Sequence, residues 1–328
     1  MFSRPPRPAV LLITLPLLLA GCASAVAGTE SGAGTQPSPR QSMVTSTAPP
    51  PVSATPVLDS ANAEPLPLDA YLLSPVQQLT VGRAQQKLIV SCMASLGLRY
   101  APPAESRSPR DEDAPTTRVD ARYGHQNAAL MARWGYHPQG GIPAGAGAKP
   151  SGPAVSPQME VALRGTADAA AHSGPGGQTV NGHKVPDHGC IGTAAARLTG
   201  AVDGAVGDAE FAGDVKFATL EGSREDGRTQ AVFGLWKQCM KDAGFTYADP
   251  LEALGDPQWR RTPLPTQREL QVATADAACR HQHNVVGVWY AVDAAYQRQA
   301  IAANAPAMAE AKVALEAQVK AATEVMAG

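Results

Sequence analysis

The chain has 328 residues, with 27 Lys and Arg against 29 Asp and Glu, a formal charge of −2. That balance excludes an electrostatic attraction to nucleic acid or to anionic lipid. Aromatic residues are only 5%, alanine is abundant and alternating β-branched runs are scarce, so composition predicts an all-α protein.

Arg4 and Arg7 precede an apolar run over residues 9–20 that is too short to cross a bilayer and ends in small residues. This is the anatomy of a secretion signal. Leu19, Ala20, Gly21 and Cys22 look like a bacterial lipobox. The resemblance implies a signal peptide at 1–21, diacylglycerol on the Cys22 sulfur, and Cys22 as the mature N-terminus. Loss of Arg4 and Arg7 with the signal makes the mature chain more acidic still, so lipid and not charge holds it. Each buried methylene contributes about 0.8 kcal/mol, and two acyl chains together hold firmly.

Residues 22–64 consist largely of Gly, Ser, Thr, Pro and Ala; ahead of Glu64 the charges are Glu30, Arg40 and Asp59. Such a segment cannot bury a core and is expected to be a disordered tether with a reach of roughly 35–40 Å.

The remainder reads as two helical units, 65–222 and 223–328. Ser74, Pro75 and Gln77 form a cap, a first-turn proline and a capping box ahead of a helix over 75–96. A loop with prolines and acids follows at 102–115. Asp111 and Asp113 do not make an EF-hand there, because Thr116 and Arg122 occupy the places of its Gly and Glu. Tyr123, Leu130 and Trp134 predict a helix over 120–134, ended by Gly135 and Pro138. Beyond a Gly-Pro-Ala loop at 139–153, a short helix starts at Ser156 and Pro157. A loop at 173–186 leads to a helix capped by Asp187, with Cys190 in its first turn.

Val206, Phe211, Val215, Phe217 and Leu220 suggest an amphipathic helix. The next, over 228–243, places Val232, Leu235, Trp236 and Cys239 on one side. A connector at 249–265 precedes Thr266 and Glu269, which spell a capping box. The spacing of Val272, Ala275, Cys279, Val286, Trp289, Val292 and Tyr296 predicts one helix from 267 to about 302. A break near Asn304 and Pro306 and a last helix through Met308, Leu315, Val319 and Val325 complete the chain.

Two stretches share a plan. Cys92-Met93 is followed by Gly97 and Tyr100, and Cys239-Met240 by Gly244 and Tyr247. Each reads as a helix ending at a glycine that accepts a left-handed C-cap. With Cys22 acylated, an even set remains in an oxidising compartment: Cys92, Cys190, Cys239 and Cys279. Three pairings are possible. Chain order favours Cys92 with Cys190 and Cys239 with Cys279, against a bond between the two repeats.

An extracytoplasmic metal-binding protein or enzyme, using the Cys/His stretches 183–190 and 279–283, is the alternative reading of the same region. His183, His188 and Cys190 in one stretch and Cys279, His281 and His283 in another could hold zinc or copper if they met, although Cys279 and His283 share a helix face and His281 does not. The expectation is therefore no cofactor, with His183, His188, Cys190, Cys279 and His283 as the alternative ligand set. Gly-x-Ser-x-Gly, Ser-x-x-Lys and His-Glu-x-x-His motifs are absent, so no catalytic residue is assigned. Trp134, Tyr136 and His137, beside an open loop, are the aromatic cluster that reads as a binding surface.

The lipobox, the paired Cys-Met units, Tyr123-Gly124 with Gly135-Tyr136-His137, Val185-Pro-Asp-His-Gly-Cys190 and the Ala273-Thr-Ala-Asp-x-x-Cys279 run together resemble a group of uncharacterised secreted lipoproteins of high-GC, actinomycete-type bacteria. The resemblance implies location and supports the repeat, and it brings no activity. The expected role is a membrane-anchored binding or accessory module on the outer face of the cytoplasmic membrane. Its expected partners are the membrane, through lipid, and an envelope protein complex or wall component, with no nucleic acid.

Overall fold

A computed structural model describes residues 43–44, 48–58, 65–102, 122–124, 127–142 and 155–328. The signal, Cys22, Asp111 and Asp113 lie outside them. The described residues hold ten α-helices and one two-residue hairpin, which makes the protein all-α. No helix among them is long and apolar enough to cross a membrane.

Helix α1 (Pro75–Ser95) begins as its sequence predicts. The Ser74 hydroxyl accepts from the Gln77 N–H, and the Gln77 side chain accepts from the Ser74 N–H. The predicted helix over 120–134 is shorter: α2 is Ala128–Trp134, with Asn127 as its cap. Arg122 and Tyr123 are themselves helical, but Gly124 at φ of 86° interrupts the run ahead of α2, and the Tyr123 ring is wholly buried against Trp289. Helix α3 (Pro157–Arg164) is capped by Ser156.

The expected loop at 173–186 contains a hairpin, β1 (Thr179–Val180) paired antiparallel with β2 (His183–Lys184). Asn181 and Gly182 both have positive φ, as a tight two-residue turn requires. The Asn181 amide then donates to the Leu96 carbonyl beyond the end of α1. Helix α4 (Gly189–Thr199) corrects a second expectation, since its N-cap is His188 in a left-handed conformation and not Asp187. The chain is re-aimed there because Gly189 sits against the end of α3; a Cβ on it would lie 2.4 Å from the Leu163 carbonyl oxygen. Asp187 instead meets His188 Nδ1 at 2.8 Å.

Helix α5 (Glu210–Glu225) buries Ala212, Val215, Thr219 and Ser223. Phe217, expected inside, is 66% exposed on the other side. The physical reason is space: Ser223 and Thr219 are small hydroxyl residues that receive Trp289 Nε1 and the Arg122 guanidinium, and Phe217 lies off that stripe. Helix α6 (Gly227–Asp242) buries Val232, Phe233, Trp236 and Met240, while Leu235 faces outward. A short α7 (Pro250–Gly255) follows.

The long helix predicted from 267 to 302 is two, α8 (Gln267–Gln282) and α9 (Val285–Ala303). Asn284 between them has φ of 49°, the left-handed region that Asn tolerates better than most residues. Apolar spacing continues through the break because Cys279, Val286 and Trp289 enter the same core, so periodicity alone could not reveal it. Helix α10 (Ala305–Ala327) closes the chain after the expected break at Asn304.

Helices α1, α3 and α4 pack together, and α10 lies across α1 and α4. Helix α9 packs on α5 and α6, with α8 joining α6 and α2. The two stretches read as separate units thus interleave in space, and Gln41–Gly328 gathers into one compact unit.

Cys92 bonds Cys190 and Cys239 bonds Cys279, with Cα separations of 5.5 and 5.7 Å. Both Cys-Met helices also end alike. The Leu98 N–H donates to the Met93 carbonyl at 3.0 Å and the Phe245 N–H to the Met240 carbonyl at 2.9 Å, around Gly97 and Gly244 at positive φ. These are Schellman closures, and they satisfy carbonyls that a helix end leaves orphaned.

Candidate functional site

The sequence-derived site residues are separated by the fold. Cys190 belongs to a core with Ile89, Met93, Leu163 and Val180, and Cys279 to another with Trp236 and Trp289. Both sulfurs are in disulfides, so neither is a thiolate ligand in this form. His183 sits on β2, His188 pairs with Asp187, and His283 caps the end of α8. Among the described residues, no group of three or more His, Cys, Asp or Glu is placed to hold a metal.

The aromatic cluster is also dismantled as an open surface. Trp134 is half-buried, with the Arg133 guanidinium 5.3 Å from its ring. Tyr136 stacks on Trp259 at 5.6 Å and donates its phenol hydrogen to Asp276. His137 is 6% exposed. Burial, with the Asp276 carboxylate next in effect, pushes the Tyr136 phenol far above its ordinary pKa.

What captures these residues is a row of three buried carboxylates on α8 and α9. Glu269 Oε1 accepts from the backbone N–H groups of Tyr136 and His137 and meets His137 Nδ1 at 2.7 Å. The other ring nitrogen, Nε2, faces the Thr262 carbonyl and must carry a hydrogen. Gly135 makes the approach of Glu269 possible, because a Cβ there would lie 2.6 Å from Glu269 Oε1. Glu269 was expected to close a capping box; Thr266 does accept from the Glu269 N–H, but the Glu269 side chain turns inward.

Asp276 accepts from Trp236 Nε1 at 2.8 Å and from Arg280 Nε at 2.7 Å. Arg280, 1% exposed, passes its other nitrogens to the carbonyls of Tyr123 and Pro250. Asp293 takes the Arg122 guanidinium and the Tyr123 phenol. Together the three carboxylates hold residues 122–124 and 135–137 to the core. Among the described residues, the carboxylate oxygens of the row have protein partners apart from Glu269 Oε2, which is buried without one there, so the row reads as architecture.

A different arrangement lies along the outer side of α9. Residues 48–58, inside the stretch read as tether, run over it in extended form. Asn304 exchanges two hydrogen bonds with the Val44 backbone, at 2.8 and 3.0 Å. Gln299 reaches the Ala48 carbonyl at 3.4 Å, Arg228 the Pro50 carbonyl at 2.9 Å, and Asn284 the Pro56 carbonyl at 2.9 Å. The strap therefore runs antiparallel to α9. Pro50 and Leu58 are its buried side chains, and Leu58 joins the core with Trp289. The chain then returns, and Tyr290 donates to the Pro65 carbonyl while Gln297 accepts from the Leu68 N–H.

Arg228 is aimed by Asp226, which takes two of its nitrogens at 2.8 and 2.7 Å and also accepts from the Tyr296 phenol. Hydrogen bonds from Arg228 hold the Asp226 carboxyl below its ordinary pKa, against the opposing effect of burial. The strap passes close to Gly287, where a Cβ would lie 1.9 Å from the Pro56 carbonyl oxygen. Composition gave no sign of this site; the usable signals were the prolines themselves and a glycine inside an otherwise uninterrupted helix.

A cleft of about 420 Å³ is lined by Tyr247, Leu251, Glu252, Asp256 and Pro257. Its carboxylates are engaged: Glu252 accepts from the Ala248 N–H, and Asp256 from the Gln258 N–H and the Tyr247 phenol. Burial, then Asp256, pushes the Tyr247 phenol up to about 12.

Comparison with known proteins identifies no relative: no family model, no curated protein and no solved structure matches the chain.

Proposed function

We propose that the protein is a lipid-anchored binding or accessory module on the outer face of a bacterial cytoplasmic membrane, of the kind found in secreted lipoproteins of actinomycete-type bacteria. Its partner is an envelope protein complex or a wall component. The observation that carries the reading is the use of cysteine. Four of the five are closed into two disulfides within the helical body, which accords with an oxidising compartment. The fifth is Cys22, at the lipobox, the position for diacylglycerol attachment. The absence of an assigned catalytic constellation in the sequence leaves recognition as the activity that best accounts for the chain.

The test is cell fractionation with mass analysis of Cys22→Ser. The expected outcome is loss of the acyl mass and release from the membrane fraction after detergent-free washing, with both disulfides intact. A variant that stays membrane-bound and unchanged in mass, apart from the substitution, overturns the anchor.

A further inference from the structure

The strap is held in an unusual way for a chain segment that leads into a core. From Ala48 to Pro56 the polar contacts run from body side chains to strap carbonyls: Gln299 to Ala48, Arg228 to Pro50 and Asn284 to Pro56. A segment with prolines at 49, 50, 51 and 56 has few N–H groups to offer, and its carbonyls project from an extended backbone. A pre-extended ligand of low entropy is what proline-rich recognition exploits; here side-chain donors of the body and the burial of Pro50 hold it.

The dimensions agree. The stretch from Asn284 to Gln299 rises about 23 Å, and an extended chain at about 3.1 Å per residue covers about 25 Å from Pro56 back to Ala48. Specific positions also serve the strap. Gly287 leaves room for the Pro56 carbonyl, and Asp226 locks Arg228 toward Pro50. Pro49, Pro51, Ser53 and Val57 remain exposed, so the groove reads carbonyls and the Pro50 and Leu58 positions and leaves the rest free.

We propose that this groove, formed by Arg228 of α6 with Asn284, Gly287 and Gln299 along α9, is a binding site for an extended, proline-rich peptide. The chain's own residues 48–58 fill it in cis, and a proline-rich segment of another envelope polypeptide exchanges with them. A tethered occupant acts at an effective concentration on the order of millimolar, so it sets a threshold that a partner must exceed. Exchange also lengthens the leader ahead of the body by the freed residues. The proposal assigns a ligand class to the binding module and depends on that reading for location alone; its test therefore uses no membrane.

Residues 23–328, which contain the whole compact unit, are secreted into an oxidising compartment. In one variant, residues 48–56 are replaced by alternating Gly and Ser, with Leu58 retained in the core. The probe is a fluorescent peptide carrying the sequence of residues 48–56, the stretch that the variant lacks, read by anisotropy. The variant is expected to bind it saturably, and the unchanged chain at least about tenfold more weakly because its strap competes. Adding Arg228→Ala and Asn284→Gly to the variant is expected to weaken binding about tenfold or more. A variant with native circular dichroism and cooperative melting that does not bind the peptide overturns the proposal, as does binding indifferent to those two changes. Should the replacement prevent folding, Gly287→Val in the otherwise unchanged chain supplies the measurement. Its Cβ displaces the Pro56 carbonyl, and thermolysin cleavage at the Val57–Leu58 bond is expected to accelerate about tenfold; an unchanged cleavage rate overturns the groove.

Discussion

Asp276 accepts hydrogen bonds from Trp236, Arg280 and Tyr136 at 0% exposure, so α6, α8 and the 135–137 segment are joined at one carboxylate. Removing its charge leaves Arg280 buried without a counterion, and losses of that kind run to about 3–5 kcal/mol. We expect Asp276→Asn to lose that much in urea unfolding. Tyr136→Phe removes a single hydrogen bond and is expected to lose about 1–2 kcal/mol. Equal effects from the two changes would show that Arg280 has solvent access. At this scale the sequence was legible where a residue serves its own helix. Ser74 and Gln77 cap α1 as read. Glu269 and His137 were misassigned because their partners, each on the other's segment, lie 132 residues apart in the chain.

Asn284 shows the same limit for elements. It follows the cap of α8, admits the left-handed φ ahead of α9, and donates to the Pro56 carbonyl. Asn284→Gly keeps the backbone conformation and loses the side-chain bond, at about 1 kcal/mol. Asn284→Ala also places a Cβ in a left-handed position, adding about 1–2 kcal/mol. Thermal unfolding is therefore expected to rank wild type above Gly above Ala; an Ala variant as stable as Gly would mean that the break relaxes into one continuous helix. Most other elements were legible from caps, prolines and spacing. The faces of α5 and α6 were not, since Phe217 and Leu235 belong to the apolar pattern yet point away from the core.

For the whole molecule, the disulfides close intervals of 98 and 40 residues. Constraint of the unfolded chain assigns them about 4–5 and about 4 kcal/mol respectively. Replacing Cys92 and Cys190 together by Ser, or Cys239 and Cys279 together, is expected to lower the urea midpoint by amounts in that order. Because the helices interleave, each pair is expected to lower the single transition of the entire body; two separate transitions would mean that the halves fold independently.

The sequence by itself determined what depends on neighbours within a few turns of chain: the helical class, most helix starts and stops, the Schellman ends after Met93 and Met240, and the order of cysteines that favoured the observed pairing. Tertiary structure alone decided which helix faces are buried, that Tyr136 and His137 turn inward, and that residues 48–58 lie on α9. The contacts responsible join positions as far as 260 residues apart. Local propensity and periodicity record how a segment prefers to fold; they carry no information on which distant carbonyl or carboxylate will meet it once the core has formed.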